Sequence, residues 1–110
     1  MRRKRRKPYL KEENFTNLVE VMADKELYKA RKLFIESVSK QVINQLLDDL
    51  FADTVLNEEE KDSVKEENNA RAEQARCLID MVRKKGSTAS QKMIDHIKNR
   101  DPGLFEKLFE

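Results

Sequence analysis

The side chains that could do nucleophilic chemistry are one cysteine, Cys77, and one histidine, His96, in a chain of 110 residues. A cysteine nucleophile needs a base within hydrogen-bond reach. The two residues fall on neighbouring predicted helices, but no small-residue elbow or oxyanion loop accompanies Cys77. We therefore interpret Cys77 as an inert, partly buried thiol and His96 as a solvated helix residue. We expect no catalytic residue in this chain.

Metal and cofactor sites are not predicted either. The sequence contains neither a C-x-x-C nor an H-x-x-x-H spacing, and a structural zinc site needs four convergent ligands. The acidic run 58–62 lacks the glycine and the alternating oxygen ligands of a calcium loop. Both glycines, Gly86 and Gly103, lie at predicted helix junctions, so there is no glycine-rich phosphate loop.

The composition favours one small helical domain. The chain is 38% hydrophobic and 40% charged, with two glycines, two prolines and no tryptophan, which argues against a sandwich or barrel. A single cysteine cannot form an intramolecular disulfide, and no signal-peptide core or apolar run of membrane-spanning length occurs. We therefore expect a reduced, cytoplasmic protein that does not bind a membrane.

Apolar residues recur at helical spacing from about Met22 onward, and no window alternates as a strand would. The broadest apolar stripe predicts that the second helix is the most buried, with Asp48 and Asp49 facing out. Six antiparallel helices joined by turns of two to five residues would form an all-α, up-and-down or Greek-key bundle. The residues of the broad stripe are Val42, Ile43, Leu46, Leu47, Leu50 and Phe51.

Capping signals mark the helix boundaries. Asn57 followed by Glu60 predicts a capping box at the start of the third helix, with carboxylates at the positive end of its dipole. The other predicted boundaries are Asn68 or Asn69 at the start of the fourth helix, Gly86 at its end, Ser87 or Thr88 as the N-cap of the fifth, a stop before Asn99, and Pro102 in the first turn of the sixth.

The charge divides the chain into two parts. Residues 1–21 hold seven Lys or Arg and three Asp or Glu, a net charge of +4, whereas residues 22–110 hold sixteen and eighteen, a net charge of −2. We predict a basic, partly disordered N-terminal extension over 1–21 and a folded body over 22–110. The second half of the extension either continues the first helix or docks beside it, because its apolar residues have helical spacing: Phe15, Leu18, Val19 and Met22.

The basic run from Arg2 to Lys7 has three interpretations: a solvated tail, a nuclear-localisation signal and a nucleic-acid-binding arm. Only Tyr9 lies close enough to add base stacking, and the body is net acidic. We therefore do not expect nucleic-acid binding, and nuclear entry through Arg2–Lys7 remains an alternative to a purely cytoplasmic location.

Charges on the body are segregated by predicted helix. If the first and fourth helices are adjacent, two surfaces of opposite sign result, and such surfaces permit head-to-tail contacts that close into rings or propagate as filaments. A small bundle with this many charges also shows patches by chance, so charge alone leaves both readings open. The cations are Lys29, Arg31, Lys32, Arg71 and Arg76, and the anions are Asp48, Asp49, Asp53, Glu58, Glu59, Glu60 and Asp62.

Four blocks of sequence resemble a known family. They are residues 31–35 (RKLFI), 43–50 (INQLLDDL), 55–60 (VLNEEE) and 75–82 (ARCLIDMV), the last followed by Lys85-Gly86. In this order and spacing they resemble the caspase recruitment domain of inflammatory caspase prodomains and of short proteins that consist of this domain alone. The resemblance runs from Met22 to about Leu108.

The resemblance implies a six-helix death-fold bundle that does no chemistry and binds other caspase recruitment domains. It implies a basic surface on the first and fourth helices (Arg31, Lys32 and Arg76) that meets an acidic surface on the second and third helices of the next molecule (Asp48, Asp49, Glu59 and Asp62). The expected function is regulation of inflammatory caspase activation and inflammasome assembly, as an adaptor or a decoy. We also expect this chain to form homo-oligomers or filaments. The alternative is the prodomain fragment of a caspase zymogen, whose catalytic domain is missing here.

Overall fold

The computed structural model describes residues 12–67 and 69–109, with side chains described from Ala23 onward. The basic run Arg2–Lys7 and the predicted disorder around it lie outside these residues. Within them the chain forms six helices and no strand, which confirms the all-α prediction. The helices are α1 Glu12–Ser37, α2 Lys40–Ala52, α3 Glu58–Glu66, α4 Arg71–Lys84, α5 Ser87–Arg100 and α6 Pro102–Phe109.

The first helix starts well before the position predicted for it. It begins at Glu12, so the second half of the basic extension continues α1 and does not dock beside it. No helix boundary separates the two parts of the chain at residue 21, and the division there remains a prediction based on charge.

The core lies between α1, α2, α4 and α5, where α1 packs against both α4 and α5. α2 packs against α3, α4 and α5, whereas α3 contacts only α2 and α4 among the described helices and buries a single residue, Val64. The position of α3 at the rim of the bundle agrees with its predicted lack of apolar residues. Fully buried side chains include Leu27, Phe34, Ile43, Leu46, Leu47, Leu50, Leu78, Ile79, Met93 and Ile97.

α2 is mostly as predicted, with two corrections. Five members of its apolar stripe are buried, but Phe51 is 41% exposed. Asp49 does not face out, because it is directed at α5. The stripe therefore ends one residue earlier than predicted, at Leu50, and the last turn of α2 presents an aromatic ring at the surface.

The predicted capping box at the start of α3 is confirmed. The Asn57 side chain accepts a hydrogen bond from the Glu60 backbone N–H at 2.7 Å, and the Glu60 carboxylate accepts one from the Asn57 N–H at 2.9 Å. Two backbone donors that have no partner inside the helix are thus satisfied reciprocally. The start of α2 is capped similarly by Ser39, whose hydroxyl accepts from the Val42 N–H at 3.1 Å.

The boundaries of α4 and α5 differ from the prediction. α4 begins at Arg71, after Ala70, which supplies no side-chain cap, so the predicted asparagine start is wrong. α5 begins at Ser87 and is preceded by Gly86, whose φ of 111° lies in the region that only glycine adopts easily. Only two residues separate the helices, so the glycine that ends α4 also starts α5, and Ser87 already lies inside the helix.

The junction between α5 and α6 is shorter than the predicted two to five residues. α5 continues to Arg100 and α6 starts at Pro102, as predicted for this proline, so Asp101 alone links them. Its backbone N–H donates to the Ile97 carbonyl at 2.8 Å, and its carboxylate accepts from the Leu104 N–H at 3.0 Å. One residue thus closes α5 and caps α6.

Candidate protein-binding surfaces

Cys77 and His96 do not form a catalytic pair. Cys77 is half-buried on α4 and packs against the core, as predicted. His96 on α5 is not a solvated residue, because its Nε2 lies 2.5 Å from an Asp53 oxygen and its Nδ1 lies 3.6 Å from an Asp49 oxygen. His96 therefore links α5 to the end of α2 and the turn that follows it.

Neither a metal site nor a membrane-spanning helix is found among the described residues. No group of three or more His, Cys, Asp or Glu side chains in the described part of the chain is arranged to hold a metal ion. None of the described helices combines the length and the apolar character needed to cross a membrane.

The basic surface lies where α1 packs against α4. The sequence predicted two surfaces of opposite charge only if these helices were adjacent. Arg31 is held there by a bidentate pair with Asp80 of α4, with Nε–Oδ1 and Nη2–Oδ2 distances of 2.7 and 2.9 Å. The guanidinium lowers the pKa of Asp80, chiefly by hydrogen bonding, and the carboxylate raises the pKa of Arg31 in turn. Arg31 therefore joins the two helices, and its charge is balanced within the molecule.

Lys32 and Arg76, the other predicted members of the basic surface, are exposed. Neither makes an ion pair with a described residue, so both charges face solvent. Lys29, also on α1, pairs weakly with Glu26 at 3.6 Å. Arg71 is used in the fold, since its Nη1 donates to the carbonyls of Ile35 and Val38 and so caps the end of α1.

Tyr28 was missed by the sequence analysis and belongs to the same surface. Its ring is 63% exposed, and the Arg83 guanidinium lies 4.7 Å from the ring centroid. Arg83 also approaches Asp80 at 3.6 Å. Tyr28 stands three and four positions before Arg31 and Lys32, and this helical spacing placed it on their face from the outset.

The acidic surface contains Asp48, which is exposed on α2 and pairs with Lys61 of α3 at 3.0 Å. Lys61 also lies 5.0 Å from the centroid of the exposed Phe51 ring. Lys61 is a cation within a surface that the sequence predicted to be acidic, so the region around Asp48 and Phe51 is locally close to neutral.

Glu59 and Asp62 lie on a different side of α3, facing α4. With Glu60, Ser63, Glu66, Glu67 and Met81 they line an open hollow. Glu60 is anchored by Lys85 at 2.9 Å, and that hydrogen bond together with the Asn57 N–H lowers the pKa of Glu60. The negative charge of α3 is thus concentrated beside α4, whereas Asp48 lies on the side that Lys61 occupies.

Asp49 does not share the acidic surface with Asp48. Its two oxygens accept from Arg100 of α5 at 2.7 and 2.8 Å, and Arg100 lowers the pKa of Asp49. A sequence signal for this difference existed. Asp49 stands seven positions after Val42 and three after Leu46, both buried, and so lies at the edge of the apolar stripe.

The sequence matches one family model and several curated proteins. The family model described as Caspase recruitment domain matches residues 24–110. Caspase-1 from Equus caballus is 48% identical over 87 residues, which cover 79% of this chain and 22% of the relative. Caspase recruitment domain-containing protein 18 from Homo sapiens is 42% identical over 87 residues, which cover 79% of this chain and 97% of the relative.

A solved structure shares the fold. The solution structure of ICEBERG, an inhibitor of interleukin-1beta generation, superposes with a TM-score of 0.70 at 41% identity, over 74% of this chain and 92% of ICEBERG. The matched segment spans only about a fifth of the caspase-1 relatives. The predicted death-fold bundle is confirmed, and this chain belongs to the caspase recruitment domain family.

Proposed function

We propose that this chain is a non-catalytic regulator that binds other caspase recruitment domains, that of caspase-1 among them, and thereby lowers interleukin-1β generation. The observation that carries the proposal is that a member of this family exposes the cations Lys32 and Arg76 on α1 and α4, and gathers the carboxylates Glu59 and Asp62 on one side of α3. The likeness to ICEBERG over nearly the whole of that protein supports inhibition over recruitment.

Binding would join the basic surface of one molecule to the acidic surface of the next. Such a contact is heterologous, so each bound molecule still offers one free surface to another. Opposite charges would steer the encounter, and salt would weaken it because exposed charges are screened over roughly 8–10 Å at physiological ionic strength. Rings or filaments would form only if both surfaces of each molecule were used.

The structure supports different roles for the predicted site residues. Lys32 and Arg76 on the basic surface are exposed, as are Asp48 on α2 and Glu59 on the side of α3 that faces α4, so all four can contact a partner directly. Arg31 and Asp49 have side-chain partners within the molecule and would act by positioning the helices. Asp62 is half-buried beside Glu59 and would add charge to the rim of the acidic surface.

The test uses the full chain and the caspase recruitment domain of caspase-1. We expect the double variant Lys32→Glu, Arg76→Glu to bind about tenfold more weakly or worse by biolayer interferometry, with less dependence on salt. The matched control is Lys92→Glu, an exposed lysine of α5 outside both surfaces, which should bind as the native chain does. Equal affinities for native chain and double variant, both folded by circular dichroism, would reject the proposal.

The direction of the effect needs a separate measurement. Caspase-1 domain filaments are grown with increasing amounts of this chain and their lengths are measured by electron microscopy. Shortening supports a decoy that occupies filament ends. Seeding of longer or more numerous filaments would instead identify an adaptor and would contradict the proposed lowering of interleukin-1β.

A second candidate is that the chain is the prodomain of a caspase. The similarity to caspase-1 relatives, of which it spans about a fifth, favours this reading specifically. The mechanism of assembly would be the same, but activation of an attached protease would follow. Continuation of the reading frame into a Gln-Ala-Cys motif would establish the candidate, and a stop codon directly after Glu110 would remove it.

The location of the protein follows from these partners and is part of the proposal. We expect it in the cytoplasm, where caspase-1 assembly would be regulated. Nuclear entry through Arg2–Lys7 is tested by imaging the full chain beside a variant without residues 1–11, and a nuclear signal lost on deletion would support it.

A further inference from the structure

A run of cations, Arg83-Lys84-Lys85, closes α4 and stands directly before the start of α5. Three hydroxyl residues follow within five positions of the run: Ser87, Thr88 and Ser90. Kinases discriminate among protein segments partly by the pattern of charges around the hydroxyl that they modify. A hydroxyl at a fixed distance after such a run is therefore a candidate for phosphoryl transfer.

The structure separates these three hydroxyl residues by exposure. Ser90 is fully buried, and its hydroxyl donates to the Gly86 carbonyl at 2.8 Å. Ser87 is half-buried, and its hydroxyl donates to the Asp24 carboxylate of α1 at 3.2 Å. Thr88 is exposed. Thr88 is therefore the hydroxyl residue of this segment that an enzyme reaches most readily from solvent.

Spacing along the chain also selects Thr88. Lys85 stands three positions before it, Lys84 four and Arg83 five. Cations at −3 and −5 form a pattern that one class of serine/threonine kinases selects, because carboxylates of the kinase pair with them. Lys84 and Lys85 are exposed, and Lys85 already belongs to the two-residue link between α4 and α5, so a kinase can approach this part of the segment.

We propose that Thr88 is a phosphorylation site for a kinase of this cation-selecting class. In the reaction the Thr88 hydroxyl oxygen attacks the γ-phosphorus of Mg-ATP, its proton passes to the catalytic base of the kinase, and the bond to the bridging oxygen breaks to release ADP. The product carries a charge of about −1.5 to −2 at pH 7 and adds strong acceptor oxygens. The modification goes beyond the proposed function, because it requires no other caspase recruitment domain.

The surroundings of Thr88 indicate what the phosphate would do. Thr88 lines an open hollow together with Lys85 and with Lys92, which stands one helical turn further along α5. Asp53 lines the hollow as well, but its carboxylate is engaged by His96, whose Nε2 lies 2.5 Å away. The hollow thus contains two lysines that can pair with the phosphate.

Lys85 would exchange one partner for another. Its Nζ lies 2.9 Å from Glu60 Oε2, and this pair joins the end of α4 to the first turn of α3. A phosphate carries more charge than a carboxylate, so it would draw Lys85 away from Glu60. Because α3 buries a single residue, Val64, loss of the pair would loosen the start of this helix. α3 carries Glu59 and Asp62, so an effect on partner binding would follow, and that effect alone rests on the proposed function.

The first test is phosphorylation of the full chain. The folded protein is incubated with Mg-ATP and a purified kinase that selects arginine or lysine at −3 and −5, and the product is mapped by mass spectrometry. We expect a single phosphate on Thr88. Thr88→Ala should abolish incorporation, whereas Ser87→Ala should not.

The cations are tested by the rate of the same reaction. Lys85→Ala should lower kcat/KM about tenfold or more, because it removes a charge-assisted hydrogen bond to the kinase. The matched control Lys107→Ala, at an exposed lysine of α6, should leave kcat/KM unchanged. Absence of phosphate on Thr88, or incorporation at Ser87 in its place, would overturn the assignment.

The second test measures amide hydrogen exchange of α3 with and without the phosphate. We expect exchange at the start of α3 to become about twofold to fivefold faster, because the part-exposed pair of Lys85 with Glu60 is lost. Glu60→Gln is the matched control, since it weakens the pair but keeps a side chain that can complete the capping box. Its exchange should already be faster and should change little on phosphorylation.

Unchanged exchange of α3 in the phosphorylated native chain would refute the shift of Lys85 from Glu60 to the phosphate. Both tests use this chain without any partner domain. They therefore succeed or fail independently of caspase-1 binding, which tests the proposed function.

Discussion

Asp48 and Asp49 are adjacent identical residues for which the structure predicts opposite phenotypes. Asp49 is 15% exposed and bonds to Arg100 through both oxygens, whereas Asp48 is 65% exposed and, among the described residues, pairs with Lys61 alone. We therefore expect Asp49→Asn to destabilise the fold and leave binding intact. Asp48→Asn should leave the free energy of unfolding unchanged. Asp48→Lys, which reverses the charge, should weaken binding to the caspase-1 domain.

The size of the stability effect follows from the hydrogen bonds of Asp49. Hydrogen bonds to charged groups contribute about 1.5–3 kcal/mol, and Arg100 can be rehydrated once released, so the lower half of that range applies. A loss of about 1.5–2 kcal/mol in a domain of this size lowers Tm by about 6–16 °C. An exposed pair such as that of Asp48 contributes about 0–1 kcal/mol. Both substitutions remove charge from the last turn of α2, so helix-dipole effects largely cancel in the comparison.

The assay is urea unfolding of both variants followed by circular dichroism, with thermal melts beside it. The pH dependence provides an internal check. Arg100 lowers the pKa of Asp49 below its ordinary 3.8, so its stabilisation is complete above the unfolded pKa and is lost as pH falls through the folded one. The difference between the native chain and Asp49→Asn should therefore begin to shrink as the pH falls below about 3.8 and should vanish only once the pH lies below the folded pKa. Equal unfolding free energies for the two variants at pH 7 would refute the assignment.

Three further predictions concern the fold. Gly86→Ala should lower the free energy of unfolding in urea by about 1–3 kcal/mol, because the backbone there has a φ of 111°. Gly103→Ala should leave that free energy unchanged or slightly raised, because the nearest atom lies 3.7 Å from the added Cβ. Equal effects of the two substitutions would contradict the explanation by backbone strain. Asn57→Ala should lower the free energy of unfolding by about 1 kcal/mol, and an unchanged value would mean that the capping box contributes nothing. Because Arg31 lowers the pKa of Asp80 below 3.8, the native chain should lose more stability than Asp80→Asn between pH 7 and pH 3, and parallel losses would argue against the pair.

Local signals predicted the elements well. Helical spacing of apolar residues, the Asn57–Glu60 capping box and the position of Pro102 depend on neighbours within one turn of chain, and the structure reproduces all of them. The predicted N-cap of α5 was wrong because a serine after a glycine resembles an N-cap in sequence, whereas Gly86 holds that position. The two-residue link leaves room for only Lys85 and Gly86 between the helices.

The surfaces were harder to predict because they depend on which helices meet. The charge pattern predicted Arg31 as a surface residue. Its partner Asp80 is 49 positions away, and the two side chains meet only because α1 packs on α4. The spacing from Val42 and Leu46 places Asp49 at the edge of the apolar stripe, but nothing local indicates that Arg100 lies opposite. Phe51 was placed in the core on its apolar character, but its ring is 41% exposed although Leu50 in the same turn is fully buried.

Asp101, the single residue between α5 and α6, constrains how this chain can change in length. It ends one helix and caps the next, so an inserted or deleted residue would rotate α6 about its axis by roughly 100° and turn its apolar side away from α1 and α5. The five-residue turn over 53–57 can absorb such a change in its loop. We therefore expect a one-residue insertion to be tolerated between α2 and α3 and to disrupt the packing of α6 when it falls at Asp101.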